Sequence, residues 1–96
     1  MAGPVYSPLA ERDLLEIATY IARDKPEAAR KFVQTLRDRC RFLNKHSDIG
    51  SVRPLIAGGA LRSHVLGNYV IYFRRVATSV EIVRILHAAR DHDALL

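Results

Sequence analysis

The chain has 96 residues and a formal net charge of +5, and 49% of its residues are hydrophobic, enough to form a core. This length fits one domain, and we predict that residues 1–96 form a single domain. Cys40 is the single cysteine, which excludes an internal disulfide and argues against a zinc site. No apolar run is long enough to cross a bilayer, and the first residues do not resemble a secretory signal. We therefore expect a cytoplasmic protein that does not enter a membrane.

Positive charge is concentrated in the middle of the chain. Residues 23–45 hold eight lysines and arginines against three acids. A surface of this sign suits an acidic partner, which could be a nucleic acid or an acidic protein segment. Charge alone does not distinguish these two partners.

Residues 4–7 form a short candidate strand, which ends at Pro8. Ser7 and Pro8 are typical of a helix start, with Ser7 as the N-cap and the proline in the first helical position. Apolar side chains then recur at spacings of three and four residues, which predicts a helix to about residue 22. The apolar positions of this helix are Leu14, Ile17, Ala18 and Ile21.

A second helix is predicted to begin near Pro26, because proline is tolerated in the first turn of a helix. Its apolar positions again have helical spacing. They are Ala29, Phe32, Val33, Leu36, Cys40 and Leu43. Because the connection between the two helices is short, we predict an antiparallel helical hairpin.

The last part of the chain is predicted to be a sheet. Residues 46–60 contain glycines and prolines without any period, which indicates a long loop. Three strands follow at 61–66, 69–76 and 80–86, and Gly67 begins a tight turn between the first two. The order strand, helix, helix, strand, strand, strand predicts an α+β fold, with the helical hairpin packed on one face of a small, mainly antiparallel sheet.

Strand alternation suggests a position for two arginines. Arg62 lies opposite Val65, and Arg84 lies opposite Ile85. If the helices cover the side of the valine and the isoleucine, both arginines project from the uncovered face, where they could bind phosphates or carboxylates. The competing interpretation is that each arginine pairs with a nearby acid or lies over apolar surface.

Histidines do not define a metal site or an obvious acid–base site. A regular strand would place His87 on the opposite face from Arg84. The imidazole could instead close the end of the sheet by a hydrogen bond to the backbone or to Asp91. His46, His64 and His92 show no metal-ligand spacing with it, so we predict no metal site.

The segments "SPLAERDLLEIATYIARDKPEAARKFVQTL", "IG…R" and "LRSHVLGNYVIYFRR…VEIVRILHAARD", in that order, span residues 6–91. Together they resemble the ParE branch of the ParE/RelE toxin superfamily. The resemblance implies the same β-α-α-β-β-β fold and a bacterial toxin that needs no cofactor. It also implies a hetero-oligomer with a ParD-like antitoxin that holds the toxin inactive, and a free toxin that poisons DNA gyrase.

A gyrase poison acts by binding and is not an enzyme, so its site would be an interface. The candidate target-binding residues are Arg62, Arg74, Arg75, Arg84, His87, Arg90 and Asp91. The alternative for Arg90 and Asp91 is an ion pair that ties the tail to the sheet. The candidate antitoxin-binding residues are Tyr20, Ile21, Phe32 and Tyr72, although each could equally be closed core.

RelE-like members of the superfamily have a different activity, since they cleave mRNA in the ribosome. In that alternative Arg62 and Arg84 would supply cations and His87 would act as acid or base. Residues 46–61 lack the extra lysines of such nucleases, and no aromatic ring follows Phe73 on which a base could stack. A third interpretation, a nucleic-acid-binding module, has only the charge in its favour, and we expect no sequence-specific DNA binding by this chain alone.

Overall fold

The computed structural model describes residues 3–52 and 61–96. The elements in chain order are β1 (Val5–Tyr6), α1 (Pro8–Ala22), α2 (Pro26–Lys45), β2 (Ser51–Val52), β3 (Arg62–Leu66), β4 (Tyr69–Val76), β5 (Ser79–His87) and α3 (His92–Leu95). The strands form one sheet in the order β1-β5-β4-β3-β2. β1 is parallel to β5, and the other neighbours are antiparallel.

The predicted α+β fold is confirmed, with two additions. The segment predicted as a loop contains β2, and the tail contains α3. β2 begins next to Gly50, where the backbone passes so close to the carbonyl oxygen of Ser63 that a Cβ would lie 2.6 Å from it. Residues 53–60 of the predicted loop lie outside the described part of the chain. Among the described helices, none combines the length and the apolar character needed to cross a membrane.

Ser7 links the first helix to the sheet. Its Oγ accepts a hydrogen bond from the backbone N–H of Ala10 at 3.0 Å, which confirms the predicted N-cap. The same hydroxyl donates to the carbonyl oxygen of Val83 at 2.7 Å, and the Ser7 N–H donates to that of Ile82 at 2.9 Å. The start of α1 is therefore fixed against β5. The second helix begins at Pro26, as predicted.

Both faces of the sheet bury apolar side chains. The helical hairpin covers one face and forms the larger cluster, which contains Ala10, Leu14, Ile17, Leu36, Cys40, Leu43, Ile71, Phe73, Val80, Ile82 and Ile85. The other face has a smaller cluster of Leu61, Tyr72 and Leu86, against which the last two leucines of the chain pack. This double cover explains why three consecutive residues of β4, Ile71 to Phe73, are all buried.

A β-bulge changes the alternation of β5. Tyr72 pairs with Arg84, but its neighbour Phe73 pairs with Ile82, so that Val83 is an extra residue on β5. Ile82 and Ile85 consequently both belong to the helix-covered cluster, although a regular strand would put them on opposite faces. The bulge therefore resets which side chains of β5 share a face.

The expectation that both arginines project from one uncovered face is wrong, because Arg62 lies on the helix-covered face and Arg84 on the other face of the sheet. Arg62 pairs with Phe73 and His64 pairs with Ile71, so the β3 side chains Arg62 and His64 lie on the helix-covered face. Val65 lies on the side that would have been covered by the helices under this expectation, but it is 63% exposed. Alternation correctly separated the two sets of β3 residues, but it contains no information about which set the helices cover.

Arg84 forms a buried ion pair, as the competing interpretation proposed. Its Nε and Nη2 donate to the two carboxylate oxygens of Asp13 at 2.8 and 2.9 Å. The side chains of Arg84 and Asp13 are only 12% and 5% exposed. Asp13 also accepts from the backbone N–H of Ile85 at 2.9 Å, and Arg84 Nη1 donates to the carbonyl oxygen of Leu95 at 2.9 Å. One ion pair thus joins α1, β5 and the end of the chain.

A second polar contact joins α2 to β3. Arg39 Nη1 donates to His64 Nε2 at 2.7 Å, which requires this imidazole nitrogen to be unprotonated. Burial lowers the pKa of His64, and the positive charge of Arg39 lowers it further. The folded protein therefore favours the neutral form of His64.

We predict that breaking the Asp13–Arg84 pair strongly destabilises the fold. Asp13→Ala and Arg84→Ala should each lower the free energy of unfolding by about 3–5 kcal/mol, because each leaves a buried charge without its partner. The double variant should lose less than the sum of the two single losses. Urea denaturation measures these values.

Arg74→Ala is the control, because it removes an ion pair whose arginine side chain is 47% exposed. This variant should lower the free energy of unfolding by less than about 1 kcal/mol. An Arg84→Ala protein as stable as this control would contradict the prediction.

We also predict that His64 makes stability depend on pH. The unfolded chain protonates this side chain near its ordinary pKa of 6.5, whereas the folded chain resists protonation. The His64 contribution to stability is therefore complete above about pH 6.5 and declines as the pH falls below it. Urea denaturation at pH 7.5 and pH 5.5 measures how far the free energy of unfolding falls between the two pH values. This fall should be smaller for His64→Gln than for the unmodified chain. His46→Gln serves as the control, and an equal reduction in both variants would count against a specific role of His64.

Candidate functional site

A groove of about 630 Å³ lies between α1 and the end of the β4–β5 hairpin. One wall comes from α1, with Leu15, Ile17 and Tyr20, and the opposite wall comes from the sheet. The sheet residues that line it are Tyr69, Ile85 and His87. The groove is therefore mainly apolar, and the ion pair of Asp13 with Arg84 closes one part of it.

Two large apolar side chains of the groove are unusually exposed. Leu15 is 67% exposed and Tyr20 is 68% exposed. α1 already buries Leu14 and Ile17 in the core, so these two residues are not needed to attach the helix to the sheet. Exposed apolar side chains that line the same groove are typical of a protein-binding surface.

Aromatic rings continue the groove across the end of the sheet. The ring centroids of Phe32 and Tyr69 are 5.4 Å apart, and those of Tyr69 and His87 are 5.2 Å apart in an edge-on arrangement. Burial raises the pKa of Tyr69, and the nearby Tyr20 hydroxyl contributes to the same shift. α1, α2, β4 and β5 thus each contribute one ring to this end of the molecule.

The rim of the groove is positively charged. Arg23 and Arg90 are exposed on it, and neither guanidinium is bound to another residue within 3–52 or 61–96. Glu16 is the exposed acid on the same rim, whereas Asp13 is already neutralised by Arg84. The groove therefore combines an apolar floor with a small excess of positive charge.

The predicted antitoxin-binding residues do not all lie in this groove. Tyr20 lines it, and Phe32 contacts it through Tyr69. Ile21 is half-buried and packs against the main core. Tyr72 is 1% exposed on the other face of the sheet, where its hydroxyl lies 2.5 Å from His92 Nδ1. A groove role for Tyr72 is wrong, because α3 and its own strand enclose the ring.

Part of the predicted target-binding set shares this groove. His87 and Arg90 line it, together with Tyr20. His87 Nδ1 accepts a hydrogen bond from the backbone N–H of Ala89 at 3.1 Å, so its partner is the backbone, which was one of the two predicted partners. Asp91 is the N-cap of α3 and accepts from the N–H of Ala94 at 3.3 Å. The tail is thus held at least in part by a helix cap.

The remaining predicted arginines lie elsewhere. Arg74 donates to Glu81 at 2.7 Å. Arg75 donates to Ser47 Oγ at 2.5 Å, and Arg62 donates to the carbonyl oxygen of Asp48 at 3.1 Å. The seven predicted target-binding residues therefore do not form one surface.

The three residues of the nuclease alternative are also separate. Arg62 contacts the segment that follows α2, Arg84 is committed to Asp13, and His87 closes the sheet end. No described group of histidine, cysteine and acidic side chains could hold a metal ion. Arg62, Arg84 and His87 thus do not form the site that the nuclease alternative requires, with two free cations beside an acid–base group.

Several residues of the site were not identified from the sequence. Asp13 falls between Ala10 and Ile17 at helical spacing, and an acid inside an apolar stripe is the signal that could have revealed it. His92 links Tyr72 to the carbonyl oxygen of His87, which lies 2.8 Å from Nε2. No pattern predicts this link, because α3 has only four residues.

Known proteins resemble the chain in sequence and in fold. Among solved structures, a chain of the chromosomal ParDE toxin–antitoxin system from P. aeruginosa superposes with a TM-score of 0.75 at 24% sequence identity, and the match covers 91% of this chain and 96% of that chain. At this identity the likeness supports the fold alone. No curated protein matches the chain in a sequence comparison.

The sequence itself identifies the family. The model of the family described as "ParE toxin of type II toxin-antitoxin system, parDE" matches residues 5–92, nearly the whole chain. The match includes α1, with its exposed groove residues, and the strand that carries Arg84. The chain therefore belongs to the ParE toxin family of type II toxin–antitoxin systems.

Proposed function

We propose that this ParE-family toxin is neutralised by a ParD-like antitoxin bound in the α1 groove and that the free toxin binds and poisons DNA gyrase. The observation that carries the proposal is the groove itself. Exposed Leu15 and Tyr20 lie beside it, and Arg23 and Arg90, whose guanidinium groups have no partner among residues 3–52 and 61–96, lie on its rim. The kinship with ParDE systems supports an antitoxin as the partner.

The groove suits an amphipathic acidic segment. Apolar side chains of such a segment would cover Leu15 and Tyr20, and its acids would pair with Arg23 and Arg90. A segment that folds only on binding can follow the length of such a groove, because it adapts to the surface. The ring of Tyr20 is the natural anchor, since tyrosines dominate the binding energy of many interfaces.

The same groove contains the candidate target-binding residues of the tail. His87 and Arg90 lie on its wall and rim, so a bound antitoxin would cover them. Neutralisation then follows from exclusion of the target, without any change in the fold. A binding toxin of this kind needs no catalytic group, and the structural roles of Arg62, Arg84 and His87 support this interpretation over the nuclease alternative.

We predict that the groove determines antitoxin affinity. The double variant Leu15→Ser, Tyr20→Ser should bind the cognate antitoxin at least about 30-fold more weakly, because it removes an aromatic anchor and its apolar neighbour. Isothermal titration calorimetry measures the affinity. Val65→Ser is the matched control, since Val65 is 63% exposed on the opposite face of the sheet. Equal affinity of the groove variant and the control would place the antitoxin elsewhere.

We predict that the free toxin converts gyrase into a DNA-breaking enzyme. Supercoiled plasmid incubated with gyrase, ATP and toxin should accumulate linear DNA after treatment with detergent and protease, and antitoxin should prevent this. Arg90→Gln should reduce the linear product, whereas Arg30→Gln, on the exposed face of α2, should not. Gyrase unaffected by the toxin would refute the proposed target, and mRNA cleavage by translating ribosomes would then be the next assay.

A further inference from the structure

Seven of the described arginines can be sorted by the charge of the group that their guanidinium binds. In one group the partner is a carboxylate, as in the pairs Arg30–Glu27, Arg41–Asp38, Arg74–Glu81 and Arg84–Asp13. In the other group the partner is neutral: Arg39 binds the His64 imidazole, Arg62 a backbone carbonyl and Arg75 the Ser47 hydroxyl. A neutral partner orients a guanidinium but leaves its charge uncompensated.

Arg39, Arg62 and Arg75 are grouped near the segment that follows α2, whereas Arg37, whose guanidinium lies 5.3 Å from the centroid of the Tyr6 ring, is outside this group. Arg62 and Arg75 contact the adjacent residues Asp48 and Ser47. The His64 partner of Arg39 lies two residues from Arg62 on the same face of β3. Lys45, the last residue of α2, is exposed immediately before this segment. We call Arg39, Lys45, Arg62 and Arg75 the basic edge.

Little negative charge opposes the basic edge. Asp48 is its nearest acid in the chain and is exposed. Asp38, one residue before Arg39, is already paired with Arg41. Residues 53–60 contain no acid in their sequence. The negative end of the α2 dipole points toward the edge, but Lys45 offsets it. Four cations thus face one exposed carboxylate.

The chemistry of the basic edge differs from that of the α1 groove. The groove offers apolar side chains for an amphipathic segment, whereas the edge offers oriented guanidinium groups held on a sheet and a helix. Guanidinium forks fit phosphate oxygens, and a rigid set of cations suits a rigid array of phosphates. Phe42 is the exposed ring nearby, but it packs against His46 with centroids 4.6 Å apart, so the edge has no row of free rings for stacking unpaired bases.

We propose that the basic edge binds the phosphate backbone of double-stranded DNA without reading its sequence. The edge residues of α2 and β4 lie toward the C-terminal ends of these elements, whereas the groove rings Phe32 and Tyr69 lie toward the N-terminal ends of the same elements, so the proposal does not depend on the antitoxin or on gyrase as the target. Contacts to phosphates determine affinity and position, and they carry no sequence information. Such a surface would hold the toxin on DNA while the groove remains available for a protein.

The test compares two triple variants with the same net charge. The first variant removes the three basic-edge arginines and carries Arg39→Gln, Arg62→Gln and Arg75→Gln. The second variant removes three acid-paired arginines and carries Arg30→Gln, Arg41→Gln and Arg74→Gln. Fluorescence anisotropy with a labelled duplex of about 20 base pairs gives the affinity between about 50 and 200 mM salt. The basic-edge variant should bind at least tenfold more weakly, and its plot of log K against log salt should be shallower by about 2–3. The control variant should retain most of the affinity, and two unrelated duplex sequences should bind equally well.

Three results would overturn the proposal. The first is that the unmodified chain does not bind the duplex at about 50 mM salt. The second is that both triple variants lose the same amount of affinity. The third is that the chain binds poly-glutamate as tightly as DNA of the same charge. The last result would identify an acidic protein as the partner.

Thermal melting followed by circular dichroism checks the fold. If the triple variant melts early, the single variants Arg62→Gln and Arg75→Gln decide the question, because both side chains contact the segment after α2 near the surface.

Discussion

The rest of this structure depends on the carboxylate that α1 buries against β5. Asp13 is 5% exposed and accepts three hydrogen bonds, two from Arg84 and one from the backbone of Ile85. A charge in this position is tolerated only because every bond is present, since desolvation of an unpaired carboxylate costs several kcal/mol. The β-bulge at Val83 makes the geometry possible, because it breaks the regular alternation just before Arg84. A local irregularity of one strand thus determines where the first helix lies.

The position of α1 in turn determines what lies at one end of the molecule, and the end of α2 determines what lies at the other. With α1 held at Asp13, Leu15 and Tyr20 project beside the end of the sheet, and the gap between them and Tyr69 becomes the groove. Arg84 also binds the carbonyl of Leu95, so the same ion pair fixes the tail that carries Arg90. At the other end, the segment that follows α2 contacts β3 and β4, and Arg39, Arg62 and Arg75 bind neutral partners there. The molecule therefore separates an apolar groove from a charged edge.

The sequence predicts the local features of this fold well and its tertiary contacts poorly. The N-cap at Ser7, the helix start at Pro26 and the β4 boundaries are all confirmed, because each depends on residues close in the chain. The bulge could not be predicted, since it inserts one residue into an apolar run whose pattern is that of a regular strand.

The site was predicted only in part. Tyr20, His87 and Arg90, which the sequence analysis selected, line one groove, but Tyr72 does not, because a buried and an exposed ring look alike in an apolar strand.

The commitment of Arg84 to Asp13 links stability with the kind of function that this chain can perform. An arginine that stabilises developing charge in a reaction must present free N–H donors to the substrate. Here three of the five N–H donors, one each on Nε, Nη1 and Nη2, bond to the protein itself, and the side chain is only 12% exposed. Freeing this guanidinium for chemistry would leave Asp13 as an unpaired buried charge and would loosen α1 and the tail together. The bond that shapes the groove therefore commits the arginine of β5 to the fold, which is why the proposed function assigns Arg84 no catalytic role.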